Sequence, residues 1–514
     1  MKPGMVKLLI AGVLVFFLCG TAAPKDESKL TRTQALVKTL HLEPPQKGES
    51  RYTYVSFPVV PNTHRLSISY NYDHANGTNA LDIGLFDSRA SERVGDVTGF
   101  RGWSGGRRKE FFVSRDSATP GYIPGEIRPG TWRIILGLYR VGPAGVDVTC
   151  KIDEEIDESK TTNLATPAYQ DPVSMGLPIS LTSNLALRDQ TSLATEKVFP
   201  RWVSGDLHLH TVHSDGDWTI PELVTAAKAA RLDFICITDH NTYSHHAETE
   251  RIDDLLVFRG EEVTTYGGHA NAWGLPSGAM IDFRIYPGDQ EAITRVVSQA
   301  HRHGALISIN HPFALCPGCD WSYGEDGFDA IEVWNGAWDN SDERALSLWD
   351  SLLQKRRHIT AVASSDSHRP DTPVGQAAIH VEVGQRLTTA AVLKSVRAGR
   401  AYLTSTATSP AVTFTARIPT EKKTYGIGDV IHLTRLQRVR FRITVNDLTR
   451  PATISVISEG KPIRTLEGSD HQPQEFEVEV TQGTYFRLEV RDQSGAMLAL
   501  TNPIYVETRK QLNH

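Results

Sequence analysis

The sequence predicts an α/β domain of the barrel kind set between two all-β domains. Between about Val203 and Ala363, short apolar strands alternate with amphipathic helices. That rhythm means a parallel sheet, and this many repeats favour a barrel. On either side, apolar and polar residues alternate at period two between Gly, Pro and Asn turns, the pattern of β-sandwiches. The 514 residues exceed what one hydrophobic core organises, so about three domains are expected.

Taken in order, the chain opens on a targeting segment over residues 1–23. Lys2 and Lys7 precede the apolar run Leu8 to Leu18, and Gly20-Thr-Ala-Ala23 offers a small-residue cleavage site. The run is too short for a comfortable membrane span, and nothing later reaches the required length. Cys19 raises a lipoprotein alternative, but the bulky Leu18 stands where lipid attachment wants a small residue. The expectation is export to the periplasm or beyond the cell. Residues 45–157 read as the first β-sandwich, with strands at Leu66–Tyr70, Leu81–Leu85, Phe111–Val113 and Trp132–Leu136. It holds no convergent set of metal or nucleophile residues, so it is expected to be accessory, open to a glycan or a protein partner. Residues 158–198, rich in Thr, Ser, Asn and Pro, read as a linker.

The α/β domain is expected over residues 199–407. Thr219-Ile-Pro-Glu222 is a capping box opening a helix with Leu223, Ala226, Ala227 and Ala230 on one face. Phe234–Ile237 reads as a buried strand, 289–303 as a helix and Ala305–Ile309 as a strand. Strand 330–333, helix 342–354 and strand 359–363 follow. After Ser409 the helices stop, and Val439–Val445, Thr453–Ile457, Phe476–Val480 and Phe486–Val490 alternate again. This second sandwich occupies 408–508 and ends in Asn502-Pro-Ile-Tyr-Val506.

The chemistry gathers at strand ends. Asp206-Leu-His208-Leu-His210 sets two imidazoles at i and i+2, which a strand projects from one face toward one metal ion. Asp215 follows in a Ser-Asp-Gly turn. Thr238-Asp239-His240-Asn241 closes the second strand, Gly260-Glu-Glu262 the third, with Gly267-Gly-His269 soon after. Asn310-His311-Pro312 and Ser365-Asp366-Ser-His368 close later ones. Taken singly, each histidine is more often structural than a ligand, and His213, His245, His246, His301 and His303 are read that way. Jointly, six histidines and three carboxylates at successive strand ends point to a metal site where barrel active sites are built.

This set of motifs resembles the PHP family, named for polymerase and histidinol phosphatase, over about two hundred residues. The resemblance implies a distorted seven-stranded (β/α) barrel holding two or three divalent transition-metal ions, zinc, manganese or iron. Glu332-Val-Trp-Asn335-Gly336 and the closing Asn-Pro-Ile-Tyr-Val are similar to the CehA/McbA-type metallohydrolases. Carried over, the resemblance assigns His208, His210, Glu262 and Asp366 to one metal. Glu262 bridges to a second, completed by His269 and His311, and Asp215, His240 and His368 hold a third. Asp215 stands where many members have a histidine. Alternation points Glu261 and Glu262 to opposite faces, and the match to the family's GxE motif selects Glu262. Asp366 is expected to orient the attacking water or accept its proton, and Asp239 to fix a ligand imidazole. Arg369 is the candidate for holding a substrate anion.

A net charge of −6 gives no electrostatic reason to expect nucleic acid as partner. A polymerase-associated nuclease therefore fits poorly. The expected activity is hydrolysis of a small ester: a phosphoester first, a carbamate, amide or carboxylic ester second. A binding protein that has lost turnover is the reading from another class, and the complete ligand set argues against it. Cys316-Pro-Gly-Cys319 supplies too few ligands for a structural zinc site and is read as a short loop disulfide.

Overall fold

The computed structural model describes residues 31–157, 201–434, 437–468 and 471–508. The expected signal segment and the whole of the expected linker lie outside the described residues.

The first eight strands are β1 (Thr31–Leu42), β2 (Tyr52–Val59), β3 (Thr63–Tyr72), β4 (Ala80–Phe86), β5 (Phe100–Gly105), β6 (Glu110–Ser114), β7 (Gly130–Arg140) and β8 (Val146–Asp157). They form two four-stranded antiparallel sheets, ordered β1-β8-β3-β6 and β2-β7-β4-β5. Alternate residues of both, among them Phe57, Leu66, Ile68, Leu81 and Trp132, point inward to one shared core. Strand β1 lies upstream of residue 45, where the sequence pattern begins the sandwich. It pairs with β8 along its whole length, yet most of its described side chains are exposed. It is held by backbone hydrogen bonds, so no apolar alternation marks it.

The central segment begins with β9 (Arg201–Asp206), α1 (Ile220–Ala229), β10 (Phe234–Ile237), α2 (His246–Thr249), β11 (Leu256–Thr265) and β12 (Gly268–Trp273). It continues through α3 (Gln290–Arg302), β13 (Leu306–Asn310), β14 (Ala330–Asn335), α4 (Asn340–Gln354), β15 (Thr360–Ser364), β16 (Ala378–Val383), α5 (Thr389–Arg397) and β17 (Ala401–Thr404). Helix α1 starts at the expected capping box, with Thr219 and Glu222 each satisfying the other's backbone N–H. Its apolar face buries Ile220, Leu223, Val224 and Ala227. Helix α3 runs between caps Asp289 and His303.

The strand order is β15-β14-β13-β12-β11-β10-β9-β16-β17. The sheet is mixed, not parallel as the alternation predicts. No helix separates β11 from β12. They join through the tight Tyr266-Gly267 turn, and antiparallel pairing is what so short a connection permits. Strand β12 also pairs antiparallel with β13, and β16 with β9. The sheet curls until its two limbs meet beyond their strand ends. Leu209 and Ser367 form a parallel bridge, and Ser365 and Gly375 both donate backbone N–H to Asp206. That meeting carries the His208–His210 and Asp366–His368 segments to one place.

The last strands are β18 (Ala411–Arg417), β19 (Thr424–Tyr425), β20 (Val430–Leu433), β21 (Gln437–Asn446), β22 (Ala452–Ser458), β23 (Lys461–Glu467), β24 (Gln474–Val480), β25 (Thr484–Asp492), β26 (Met497–Thr501) and β27 (Ile504–Thr508). One antiparallel sheet is β19-β18-β21-β24. The facing sheet continues the central one, because β26 pairs with β17 and β25 with β26. Their common core includes Phe414, Phe441, Val456, Phe486 and Leu488. Among the described residues no helix is long and apolar enough to cross a membrane.

Candidate metal centre

His208 and His210 lie just past β9, on alternate positions that share a face. Their Nε2 atoms meet two carboxylates. His208 Nε2 is 3.2 Å from Glu262 Oε1 and 3.3 Å from Asp366 Oδ1. His210 Nε2 is 3.1 Å from Asp366 Oδ1 and 3.5 Å from Glu262 Oε2. Glu262, buried on β11, is the centre of the cluster. His269 Nδ1 and His311 Nε2 each approach its Oε1 at 3.3 Å, and His240 Nδ1 approaches Oε2 at 2.7 Å. The turn after His210 returns Asp215 over the strand end, 3.4 Å from His240 Nε2 and 3.3 Å from His368 Nε2. Gly216 permits that turn, since a Cβ there would come within 2.6 Å of the His210 backbone. All nine expected metal ligands are therefore brought together.

The aim of these side chains is held against local strain. His311 and Asp366 adopt positive φ, 23° and 52°, where residues with a Cβ are disfavoured by about 1–3 kcal/mol each. Such strain persists where surrounding structure over-determines it. Here Glu332 does so: Oε2 accepts the His311 backbone N–H at 2.9 Å and the Asn335 amide at 3.0 Å, while Oε1 meets His208 Nδ1 at 3.1 Å. With Nδ1 engaged, His208 presents Nε2 to the centre. Sequence reasoning quoted the Glu332–Gly336 stretch but gave Glu332 no role. Its signal was a lone acid inside an apolar strand, which has to find a partner when buried.

Asp239 makes no direct bond to a ligand imidazole; it reaches His210 through Ser214, whose hydroxyl donates to Asp239 Oδ1 and lies 3.5 Å from His210 Nδ1. Its neighbour His240 takes the site-facing position, so Asp239 points the other way. There it accepts the Thr211 backbone N–H at 2.7 Å, the Thr211 hydroxyl at 2.7 Å and the Ser214 hydroxyl at 2.6 Å. It pins the loop that carries Asp215. Glu261 also faces away, its Oε2 accepting the Ile281 N–H at 2.6 Å.

Burial opposes charge throughout the site. It raises Glu261, with Asp282 adding to it, well above the usual carboxyl range. For Glu262 and Asp366, burial is outweighed by His208 and the other imidazoles, which hold both carboxyls low. Burial, with His368 and His240 beside it, lowers His210 to about 4, so its imidazole is neutral. Against burial, the facing carboxylates raise His208, His240, His311 and His368, the last to about 9. Metal binding needs ionised carboxylates and neutral imidazoles, so it would displace protons there.

The donor set fits divalent transition ions. His208 Nε2, His210 Nε2, Glu262 Oε2, His269 Nδ1, Asp215 Oδ1 and Asp366 Oδ1 are buried and make no well-aligned hydrogen bond, although each lies close to another of the set. Atoms so placed share a potential guest rather than one another. Two groupings hold ligand atoms within 4.8 Å of each other around Glu262, with His208 and His210 and with His240 and His269. A further one joins His210, Asp215, His240 and His368. Mixed imidazole and carboxylate donors suit zinc, manganese or iron.

A cavity of about 590 Å³ opens onto this cluster. Asp215, His240, His269 and Arg369 line it from the central domain, and Asp82, Trp103, Arg107 and Tyr139 from the N-terminal sandwich. Arg369 is exposed and its guanidinium has no ion-pair partner among the described residues, which leaves it available to an anion. The loop after His311 forms part of the rim, closed by the Cys316–Cys319 disulfide and bonded through Pro317 O to the Tyr139 hydroxyl at 2.6 Å. A second cavity, about 640 Å³, lies on the outer face of β3 and β6 and contains no imidazole.

A family model, "PHP domain", matches residues 206–310. The match includes His208, His210, Asp215, His240, Glu262 and His269, and supports an enzyme of the hydrolase class. No curated protein gives a significant match to the chain. Among solved structures, the chain is similar to a two-domain protein from Bacteroides vulgatus containing a predicted PHP-like metal-dependent phosphoesterase. Identity is 17%, covering 61% of this chain and 100% of that one, with a TM-score of 0.34. It is also similar to a candidate metal-dependent phosphoesterase from Bifidobacterium adolescentis, at 18% identity over 33% and 90% of the two chains, TM-score 0.27. An amidohydrolase from Chromobacterium violaceum shares 16% identity over 33% and 89%, TM-score 0.26.

Proposed function

We propose that this chain is an exported hydrolase that uses two or three divalent metal ions to cleave a small phosphoester. The observation that carries the reading is the convergence of buried, unaligned imidazole and carboxylate atoms on Glu262. A binding protein has no use for so many donors aimed at one space. His208, His210, Glu262 and Asp366 would hold one ion, Glu262 with His269 and His311 a second, and Asp215, His240 and His368 a third. When bound, such ions polarise the ester and bring the pKa of water toward neutrality. Asp366 takes up the proton of the attacking water, and Arg369 holds the substrate's anionic group at the cavity mouth.

The curled sheet is read as the seven-stranded PHP barrel, with residues 45–157 and 408–508 as its flanking sandwiches. Placement within the CehA/McbA-type branch rests on the Glu332–Gly336 and Asn502–Val506 segments, and would extend the substrate class to carbamates, amides and carboxylic esters. The test is elemental analysis of the purified protein, then a screen of phosphate, carbamate and carboxylic esters with and without chelator. At least two metal equivalents and chelator-sensitive release of nitrophenol are expected. A protein that neither carries nor takes up metal refutes the hydrolase reading.

A further inference from the structure

The N-terminal sandwich supplies a carboxyl group to the cavity of the metal centre. Asp82, on β4, lies on the wall facing Asp215, His240 and His269. Its Oδ2 accepts a hydrogen bond from the Tyr266 hydroxyl at 2.6 Å, across 184 residues of sequence. Tyr266 sits in the turn between β11, which carries Glu262, and β12, which carries His269, so this bond ties Asp82 directly to the frame of the site. Room for it comes from Gly137, where a Cβ would stand 2.0 Å from the Tyr266 oxygen. No other residue at 137 is compatible with the contact.

The second oxygen, Oδ1, accepts no hydrogen bond among the described residues and is open to the cavity. Gly105 and Gly106 lie beside it; a Cβ at either would stand in ordinary van der Waals contact, 3.7 and 3.4 Å away. Burial pushes the carboxyl up to about 6, against the lowering effect of the Tyr266 hydrogen bond and of His240. The titratable groups coupled to it are Tyr52, Tyr70, Tyr72, Tyr139 and Tyr266, with His240 and Asp215 across the cavity, whose wall also carries His74, Arg107, Arg140, His269 and Arg369. Among these, Asp82 alone is a carboxyl held by a neutral hydroxyl rather than by imidazoles.

We propose that Asp82 is the general acid that protonates the leaving group. The assignment rests on the phosphoesterase reading of the site. Ester hydrolysis divides the work between a carboxylate that stays ionised and an acid that keeps its proton, and different surroundings separate the two. Asp366 and Asp82 are such a pair. In the step, the oxygen of water bonds to phosphorus while the bond from phosphorus to the ester oxygen breaks. The proton of Asp82 moves to that departing oxygen, which leaves as a neutral alcohol. The proton lost by the attacking water passes to Asp366 and on to solvent, and Asp82 is reprotonated from solvent, so ester and water give phosphate and alcohol.

The test compares an ester that needs an acid with one that does not. Metal-loaded full-length protein, wild type and Asp82→Asn, is assayed on glycerol phosphate and on 4-nitrophenyl phosphate, whose phenolate leaves unaided. General acid catalysis contributes about 10²–10⁴-fold, so kcat on glycerol phosphate should fall at least about 100-fold. The nitrophenyl ester should lose less than about fivefold, because its barrier needs no proton transfer. Bound metal and the unfolding midpoint should match wild type, and Asp82→Ser should repeat the pattern. Equal losses on both esters, or no loss on glycerol phosphate, overturn the assignment. A wild-type protein inactive on both esters overturns the phosphoesterase reading itself, whereas only the ratio of the two losses bears on Asp82.

Discussion

The N-terminal sandwich meets the central domain through side chains, whereas the C-terminal one shares its sheet and adds side-chain pairs such as Arg487–Asp350. On the N-terminal side, Arg284 donates to the Tyr54 hydroxyl and to the carbonyls of Arg93 and Asp96, while Tyr52, Phe86, Phe100 and Trp103 enter the central hydrophobic core. These contacts gather over the strand ends, and the same sandwich walls the cavity. On the C-terminal side, β26 extends the sheet by pairing with β17. Asn502 then exchanges hydrogen bonds with both backbone groups of Ala361, 2.8 and 2.9 Å, and donates to the Ala401 carbonyl at 3.0 Å. Ala361 is near the start of β15, whose far end leads to Asp366. A ladder and a buried amide specify position rigidly but reach no substrate. Side-chain contacts can vary in shape and charge, and they sit where a substrate enters. The N-terminal sandwich thus lines the cavity beside the site, and the C-terminal one continues the sheet.

The metal centre sets the scale for testing that contrast. Glu262→Gln removes a charge shared among several imidazoles, and kcat should fall by at least about 10³-fold with bound metal reduced. Glu261→Gln, facing away, should keep its metal; if it is the metal-poor variant, the register of β11 is wrong. The next largest effects belong to the C-terminal side. Arg487, nearly fully buried, donates to Asp350 Oδ1 of α4 at 2.9 and 3.0 Å. Arg487→Met leaves the buried carboxylate with only the Tyr485 hydroxyl and the Gln354 amide and no cation. It should cost about 3–5 kcal/mol in urea unfolding, with kcat and KM of the folded fraction unchanged. Asn502→Ala strands the backbone groups of Ala361 and should cost about 3 kcal/mol. A loss of turnover in either variant while folded breaks the comparison, because the C-terminal side would then be shaping the site. The smallest effect is on the entrance side: Arg369→Ala should raise KM about tenfold and leave both kcat and the unfolding midpoint alone.

What the sequence discloses follows from the range over which each feature is encoded. The i, i+2 spacing of His208 and His210 is local, and any strand projects the pair to one face. Alternation separates Glu262 from Glu261 for the same reason. The capping box at Thr219 and the caps of α3 are likewise written in a few neighbouring residues. Asp82 escapes because its significance depends on Tyr266, Gly105, Gly106 and Gly137, which only the folded chain assembles. Asp239 is only half legible, because its link to His210 runs through Ser214, a partner that no local pattern names. The antiparallel β12 is missed because Gly267-Gly268 reads as loop, while its turn needs a φ of +125° at Gly268 that glycine readily supplies.

The shared sheet also imposes an order of events on the newborn chain. Every residue that converges on Glu262 has left the ribosome well before Met497–Thr501 or Asn502 exists. Until those last strands arrive, β17 presents a bare edge and the backbone of Ala361 has no amide to meet it. Completion of the sheet edge at β17 and of the hydrogen bonds to Ala361 therefore waits for residues far from the metal ligands in sequence.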